Sequence, residues 1–290
     1  MIGIVADGVP SLNPPHETVI GAATLILVAE DDSGLESLAA LSVPPVLGAL
    51  GTEVPVEPVP SRALLVGWNE RAPIVLTELD KYAPAGSTLT VLTSYGDPVL
   101  PLLTNLVVTV VDGPTTDRAT LDRFVLADLD QVLVLCYSEH LAPQAADART
   151  LVTLLHVRDI LGRLEADVPV VSEMMDDRNR VLAEVAYVDD VVVSGEIVSL
   201  VVTQLSEDRR LEAVFDQLLG AAGSEIYLRP ADWYAEPGDQ VSYATMVAGA
   251  RRRGETAIGF KSGSDVVVNP GKSRVFAVGP DDRVVVLAEA

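Results

Sequence analysis

Between Arg62 and Ser194, apolar runs rich in Val, Leu and Ile alternate with helical stretches, and this alternation limits the fold more than any other feature. The runs are ALLVGW (Ala63 to Trp68), TLTVLTS (Thr88 to Ser94), LVVTVVDG (Leu106 to Gly113), QVLVLCY (Gln131 to Tyr137), VPVVSEM (Val168 to Met174) and DDVVVS (Asp189 to Ser194). Strands without polar alternation are buried on both faces, which requires a parallel sheet covered by helices. The spacing predicts helices at Arg71–Tyr82, Asp117–Leu126 and Gln144–Leu164, the first with Pro73 in its opening turn, where a missing N–H costs little. In the longest, Leu151, Leu154, Leu155, Ile160, Leu161 and Leu164 form one broad apolar face. Five or six strands opened by a strand–glycine–helix turn predict an α/β fold with a Rossmann-like, doubly wound parallel sheet.

After Ser194 the pattern changes. Gly195 to Gly220 reads as helical, broken near Ser206-Glu207-Asp208. A strand at Glu225–Arg229, a helix at Ser242–Arg252 and short strands from Ala257 to Glu289 predict a small α+β lobe. The end of this lobe repeats the start of the chain. IGIVADGVPSLNP (Ile2 to Pro14) and IGFKSGSDVVVNP (Ile258 to Pro270) both place Asn-Pro eleven residues after Ile-Gly, and LVAE (Leu27 to Glu30) returns as VLAE (Val286 to Glu289). The plainer alternative is two unrelated hairpins sharing turn chemistry. Read as a repeat, residues 1–53 are the C-terminal part of a preceding small lobe, with a short helix around Leu35, Leu38, Ala39 and Leu41. Residues 54–62 (VPVEPVPSR) form a proline-stiffened linker, 63–194 the Rossmann-like domain, and 195–290 the connecting helix and C-terminal lobe.

Composition then excludes whole classes of function. With Lys+Arg 20 against Asp+Glu 42 the net charge is −22, which opposes binding to nucleic acid through a broad basic face. A hydrophobic content of 49% excludes a disordered acidic chain. Three His and one Cys leave no Cys/His zinc framework and no intrachain disulfide, which fits a cytosolic setting. The longest uncharged run, Ser37 to Thr52, is 16 residues long and interrupted by Pro44 and Pro45, too short and too broken to span a bilayer. No signal peptide follows Met1.

The turn after the first sheet strand reads Gly67-Trp68-Asn69-Glu70-Arg71-Ala72, where a dinucleotide loop needs three glycines. Trp68 and Glu70 place bulk and negative charge where a phosphate would approach, and Thr93 and Ser94 replace the acid that binds ribose hydroxyls. The loop therefore keeps the fold with NAD binding lost or weak. Weak nucleotide binding, through Gly67, Trp68, Asn69, Arg71, Thr93 and Ser94, is the competing reading. Acids at the carboxyl ends of the strands, Asp112, Glu139, Glu173 and Asp176, are candidate ligands for a hard cation such as Ca²⁺. Their alternative role is as solvated helix-start residues, with Arg178 and Arg180 as counter-charges. Cys136 inside a strand reads as a small hydrophobe and His140 does not complete a nucleophile–base pair. His16 and His156 lack partners, Met174-Met175 fills core, and Arg251-Arg252-Arg253 is a solvated helix end. No catalytic constellation is present.

The order of these parts resembles RCK domains, the cytosolic gating modules of potassium channels, and within them the Castor/Pollux ion channel family and its bacterial relatives. The resemblance is carried by NPPHETVI with LVAEDD (Asn13 to Asp32), LLVGWNERAP (Leu64 to Pro73), DARTLVTLLHVRDI (Asp147 to Ile160), VSEMMDDRNR (Val171 to Arg180), SGEIVSLVVTQLSEDR (Ser194 to Arg209) and GSEIYLRPADWY (Gly223 to Tyr234). It implies a tandem-domain subunit with an N-terminal membrane pore, assembled as a tetramer over a cytosolic ring that couples Ca²⁺ or a nucleotide to opening. The expected function is a cytoplasmic ligand-sensing and assembly module of a channel for potassium or another cation, at the inner face of the membrane. Its expected partners are itself, as a homodimer or ring, and a pore domain. This sequence departs from the pattern in having no membrane segment and a shortened first module, and is read as a soluble part or soluble relative of a larger channel-like protein. The rival functions are an NAD(P)-dependent oxidoreductase and a purely structural oligomerisation module.

Overall fold

In the computed structural model of the chain, the described residues are 1–15, 17–28, 43–46, 50–51, 59–95, 98–180, 182, 190–220, 223–238 and 240–289. His16, the expected short helix at 35–41, the Ala29–Glu30 end of the first repeat and most of the linker lie outside them. Two compact units are present: Glu57–Glu207, and Met1–Val56 together with Asp208–Ala290.

The second of these units begins the chain. Strands β1 (Gly3–Ala6), β2 (Val9–Leu12) and β3 (Thr24–Ile26) form an antiparallel sheet in the order β2-β1-β3. The turn between β1 and β2 uses Asp7 and Gly8, both at positive φ (51° and 79°), as a two-residue hairpin requires.

The other unit holds β4 (Arg62–Val66), α1 (Ala72–Tyr82), β5 (Ser87–Thr93), β6 (Leu106–Asp112), α2 (Arg118–Leu121), β7 (Gln131–Val134), α3 (Pro143–Arg163), β8 (Val170–Met174), β9 (Asp190–Val193) and α4 (Ser194–Glu207). Its six strands are all parallel and run in the order β6-β5-β4-β7-β8-β9. That is the doubly wound order in which the first strand lies central and the chain reverses direction across β4 and β7. Apolar cores cover both faces: Leu64, Val66, Leu154, Val157 and Ile160 on one, Leu65, Leu76, Leu89 and Val91 on the other.

Several local expectations change. The helix expected to Leu126 is regular only to Leu121, because the amides of Arg123 and Phe124 then bond three residues back, to Thr120 and Leu121. On α3 the buried stripe is Ala146, Asp147, Thr150, Thr153, Leu154, Val157, Ile160 and Leu161, while Leu155 and Leu164 are exposed. Cys136 lies beyond the strand, since β7 ends at Val134 and the Cys136 carbonyl is taken by the Asn69 side chain. The helix after Ser194 breaks at Asp208, and its first half groups with the parallel sheet rather than with the C-terminal lobe.

That lobe contains α5 (Leu211–Leu219), β10 (Ser224–Pro230), β11 (Gln240–Ser242), α6 (Tyr243–Arg252), β12 (Thr256–Ser262), β13 (Asp265–Val268), β14 (Val275–Ala277) and β15 (Arg283–Glu289). Its antiparallel sheet runs β10-β15-β12-β13, with β11 and β14 paired separately. Tyr234, Tyr243, Met246, Phe260, Val284 and Val286 fill its core. Ile2 and Leu12 from the first hairpin pack with Val214 of α5 and Leu287 of β15. Gln217 donates to the Pro10 carbonyl (2.7 Å) and accepts from the Leu12 amide (3.3 Å), which closes the free edge of β2.

Candidate functional site

In an open parallel sheet the crevice at the carboxyl ends of the central strands is where a ligand sits. Here it begins with Gly67, at φ +97°, where a Cβ would lie 2.1 Å from the Leu135 carbonyl oxygen. Glycine is required at this position by the chain's own backbone. Trp68 is half-buried against the apolar cluster around Leu65 and Leu76. Asn69, 1% exposed, donates to the Cys136 carbonyl (2.9 Å) and to Glu173 Oε2 (2.7 Å), and its own oxygen accepts from the Arg71 amide (3.0 Å).

Glu173, at the end of β8, is the hub of this half of the crevice. Its Oε2 also accepts from the Cys136 thiol (3.3 Å), and its Oε1 accepts from Ser194 Oγ (2.8 Å) and pairs with Arg71 Nε (2.7 Å). One buried carboxylate thus ties the α1 turn, the end of β7 and the start of α4 together. Burial pushes the Cys136 thiol up to about 12, and the Glu173 carboxylate adds to the shift. Burial opposes the charge on Arg71, but the Glu173 carboxylate outweighs it and raises the guanidinium. At the turn into α1, Glu139 Oε2 accepts from the Glu70 amide (3.1 Å), so a carboxylate of the chain occupies an amide that faces the anion position.

The other half lies at the ends of β5 and β6. Thr93 is buried, and its hydroxyl donates to the Tyr95 carbonyl (3.2 Å). The Ser94 amide donates to the Tyr137 hydroxyl (3.0 Å), and the Ser94 hydroxyl donates to the Gly113 carbonyl (2.9 Å). Tyr95 stacks on His140, with centroids 5.1 Å apart, and meets Tyr137 edge-on at 4.7 Å. These rings stand between the loops after β5 and β7.

The sequence-predicted loop residues therefore come together, but as a mutually satisfied network. The four candidate metal ligands do not. Asp112 on β6 and Glu173 on β8 are separated by four strand spacings of ~4.8 Å, about 19 Å across the sheet. Asp176 caps a short 3₁₀ turn through the Arg178 amide (3.0 Å) and pairs with the Arg178 guanidinium, which holds its carboxyl below the usual range. Glu139 also accepts from Ser138 Oγ. Among the described residues no group of three or more His, Cys, Asp or Glu is arranged to hold a metal ion. Glu139, Glu173 and Asp176 are instead spent on separate local partners.

Sequence reasoning missed Asp147, Arg149, Tyr95, Tyr137 and Ser194. Asp147 is fully buried on α3 and accepts from the amides of Met175 (2.9 Å) and Asp176 (3.0 Å) and from Asn179 (2.8 Å), which fixes the loop after β8. A lone acid within the apolar stripe of a helix was the available signal. Nothing in the sequence pairs Ser194 with Glu173.

Strand order and crevice define a Rossmann-like, doubly wound α/β domain. No family model matches the chain. Its relatives are ion channels. It is 27% identical over 96% of its length to the probable ion channel POLLUX of Oryza sativa subsp. japonica, covering 33% of that protein. It is 27% identical to the ion channel CASTOR of Lotus japonicus, covering 89% of this chain and 35% of the relative. The chain thus spans about a third of the length of these curated relatives. The human SLO3 gating ring shares the fold, with a TM-score of 0.52, 11% identity, and coverage of 79% of this chain and 44% of that one. Among the described residues no helix is long and apolar enough to cross a membrane.

Proposed function

We propose that residues 1–290 are the regulatory part of a cation-channel protein, a ligand-sensing and assembly module whose rearrangement gates a pore carried by the remainder of the longer protein. The observation that carries this reading is the similarity to ion channels over 96% of the chain, both units included. The proposed setting is cytoplasmic, beside the membrane, with potassium or another cation as the conducted ion. The Glu173–Ser194 bond supports a route from the crevice to α4, because Ser194 is the first residue of that helix. A ligand that binds better when this bond is rearranged shifts the population of α4 positions. No residue of α4 is buried, although it carries Ile197, Val198, Leu200 and Val202. Such a face favours self-association as a dimer or ring.

NAD binding is proposed to be lost or weak. The bond from the Glu70 amide to Glu139, the Arg71–Glu173 pair and the Tyr95–His140 stack support this reading, since each engages a group that could otherwise meet a diphosphate or a base. The satisfied loop from Gly67 to Arg71 also favours a second reading, an assembly module that needs no ligand. A hydride-transferring enzyme is the remaining alternative. Potassium flux through the full-length protein in liposomes tests the main reading, compared with and without residues 1–290. Flux that requires or responds to this region is expected, and flux indifferent to its removal overturns the proposal. Calorimetric titration with Ca²⁺, NAD(H) and adenine nucleotides, beside mass by light scattering, separates the alternatives. Oligomers without any heat of binding favour assembly alone. NAD binding with hydride transfer sinks the channel reading.

A further inference from the structure

We infer that Arg149 and Thr115, with Ser94 orienting the guanidinium, form a binding corner for a phosphate group, as inorganic phosphate or a phosphate monoester, at the carboxyl ends of β5 and β6. Arg149 projects from α3, where Nη2 donates to Ser94 Oγ (2.9 Å) and Nε to Thr115 Oγ1 (3.3 Å). Its guanidinium carbon lies 5.4 Å from the ring centroids of both Tyr95 and Tyr137. The two rings and two hydroxyls fix the plane of the fork and shield part of it from water.

What this cation lacks among the described residues is a counter-ion. The chain carries 42 acids against 20 basic residues, and other arginines of the same unit hold carboxylates: Arg71 with Glu173, Arg118 with Asp159, Arg163 with Asp122, Arg178 with Asp176. No carboxylate among the described residues pairs with Arg149. A half-buried guanidinium in an aromatic setting gains most from an anion that brings its own charge.

The donors left over match a tetrahedral oxyanion. Arg149 Nη1 makes no hydrogen bond among the described residues, and Thr115 Oγ1, which accepts from Arg149, donates to none. Thr115 is 1% exposed and held in place, with its carbonyl accepting from Thr153 Oγ1 (3.0 Å). A guanidinium edge beside a hydroxyl donor is a phosphate-recognising pair. Its location sharpens the assignment. In doubly wound folds an acid at this strand end takes ribose hydroxyls, and an arginine there admits a phosphate instead. Here Thr93 and Ser94 stand where the acid would be, and Arg149 reverses the charge. Since Tyr95 already stacks on His140, the ligand needs no base.

Calorimetric titration of the full chain at low ionic strength tests this, with inorganic phosphate in one arm and ribose 5-phosphate in the other. Chloride at matched ionic strength serves as the control anion. Saturable binding is expected, stronger for whichever source fits, and weakened at least about tenfold by Arg149→Gln. Thr115→Val is expected to weaken it less, and Arg163→Gln, which removes the same charge elsewhere, not at all. Arg149→Lys keeps the charge and guards against a glutamine variant that does not fold; it should bind more weakly than the parent. Absence of saturation in both arms overturns the assignment, as does binding that Arg149→Gln, Arg149→Lys and Thr115→Val leave unchanged. These results do not depend on whether the chain regulates a channel, so the two proposals fail separately.

Discussion

Asn13 and Asn269 occupy equivalent places in two copies of one turn. Both hold left-handed backbone, at φ 46° and 47°. Both amides donate to the carbonyl of an isoleucine eleven residues upstream, at 2.8 Å on Ile2 and 2.7 Å on Ile258. The strands before them match too, since β2 and β13 each end one residue short of the asparagine, and the preceding turns hold Asp7 and Gly263 at φ 51° and 56°. The side chains have diverged. Asn13 donates to the Gly254 carbonyl (2.7 Å) and accepts from Thr256 Oγ1 (2.7 Å), whereas Asn269 donates to the Val28 carbonyl (2.8 Å). Asn13 thus joins the first hairpin to the chain entering β12, and Asn269 joins the second hairpin to the chain leaving β3.

This geometry makes a graded prediction. Asn13→Gly keeps the backbone and loses the side-chain bonds, a cost of about 1 kcal/mol. Asn13→Ala adds the penalty of a left-handed non-glycine residue, for a total of about 2–3 kcal/mol. Denaturant unfolding of the three proteins checks the order. Equal loss in both variants shows that the backbone conformation contributes nothing.

The buried thiol gives a chemical test. With its pKa near 12, Cys136 is about one ten-thousandth thiolate at pH 8. Alkylation by iodoacetamide in the native protein is therefore expected to be slow and to rise with pH up to the onset of unfolding. Glu173→Gln removes a carboxylate that raises the thiol, so reaction at a given pH should quicken, while burial keeps it below that of an exposed cysteine. The same change breaks the pair with half-exposed Arg71 and weakens the acceptor of Asn69 and Ser194, at an expected cost of about 1–3 kcal/mol. Mass spectrometry of the alkylated protein, beside melting curves, measures both effects. Fast labelling of the folded parent at pH 8 contradicts the burial.

Asp80 links stability to acidity. Burial favours its neutral form, but the amides of Leu106, Thr104 and Asn105 hold the charged form and bring its pKa below the usual value. A depressed folded value means that the unfolded chain binds the proton first. The stabilisation is complete above the unfolded pKa of about 3.9 and is lost as pH falls through the lower folded value. Asp80→Asn should therefore lose about 1–3 kcal/mol at neutral pH, with the gap between parent and variant closing in acid. Melting temperatures of both proteins across pH 2–7 (about) reveal it. A gap that stays constant assigns the loss to packing.

The parallel sheet was legible because its strands are long apolar runs, a signal that needs no distant partner. The break before Asp208 was legible for a similar reason, since Ser206, Glu207 and Asp208 interrupt the apolar pattern locally. The crevice was legible in position and not in content. Gly67 looks like a phosphate-loop remnant until the Leu135 carbonyl is seen against it. The carboxylates looked convergent because sequence places each at a strand end without saying which strands are neighbours. Arg149 lies on α3 among ordinary helix-surface residues, and only the folded chain brings it to Ser94.

Assembly through α4 leads to the last prediction. This helix starts where Glu173 holds Ser194 and carries Leu200 at 59% exposure beside exposed Ile197 and Val198. A helix of this composition loses apolar exposure only by meeting another surface, and each buried leucine contributes about 2 kcal/mol. Leu200→Asp places a charge in that contact and should lower the mass seen by light scattering at a given concentration. An exposed position should leave the monomer's melting temperature unchanged within about 0.5 kcal/mol equivalent. Glu196→Gln on the same helix removes the ion pair with Arg180 (3.4 Å) and, being a surface contact, should leave assembly intact. A parent protein that is monomeric at every concentration removes α4 as a self-association face. A fall in mass with Glu196→Gln as large as with Leu200→Asp shows that charge, and not the apolar face, holds the copies together.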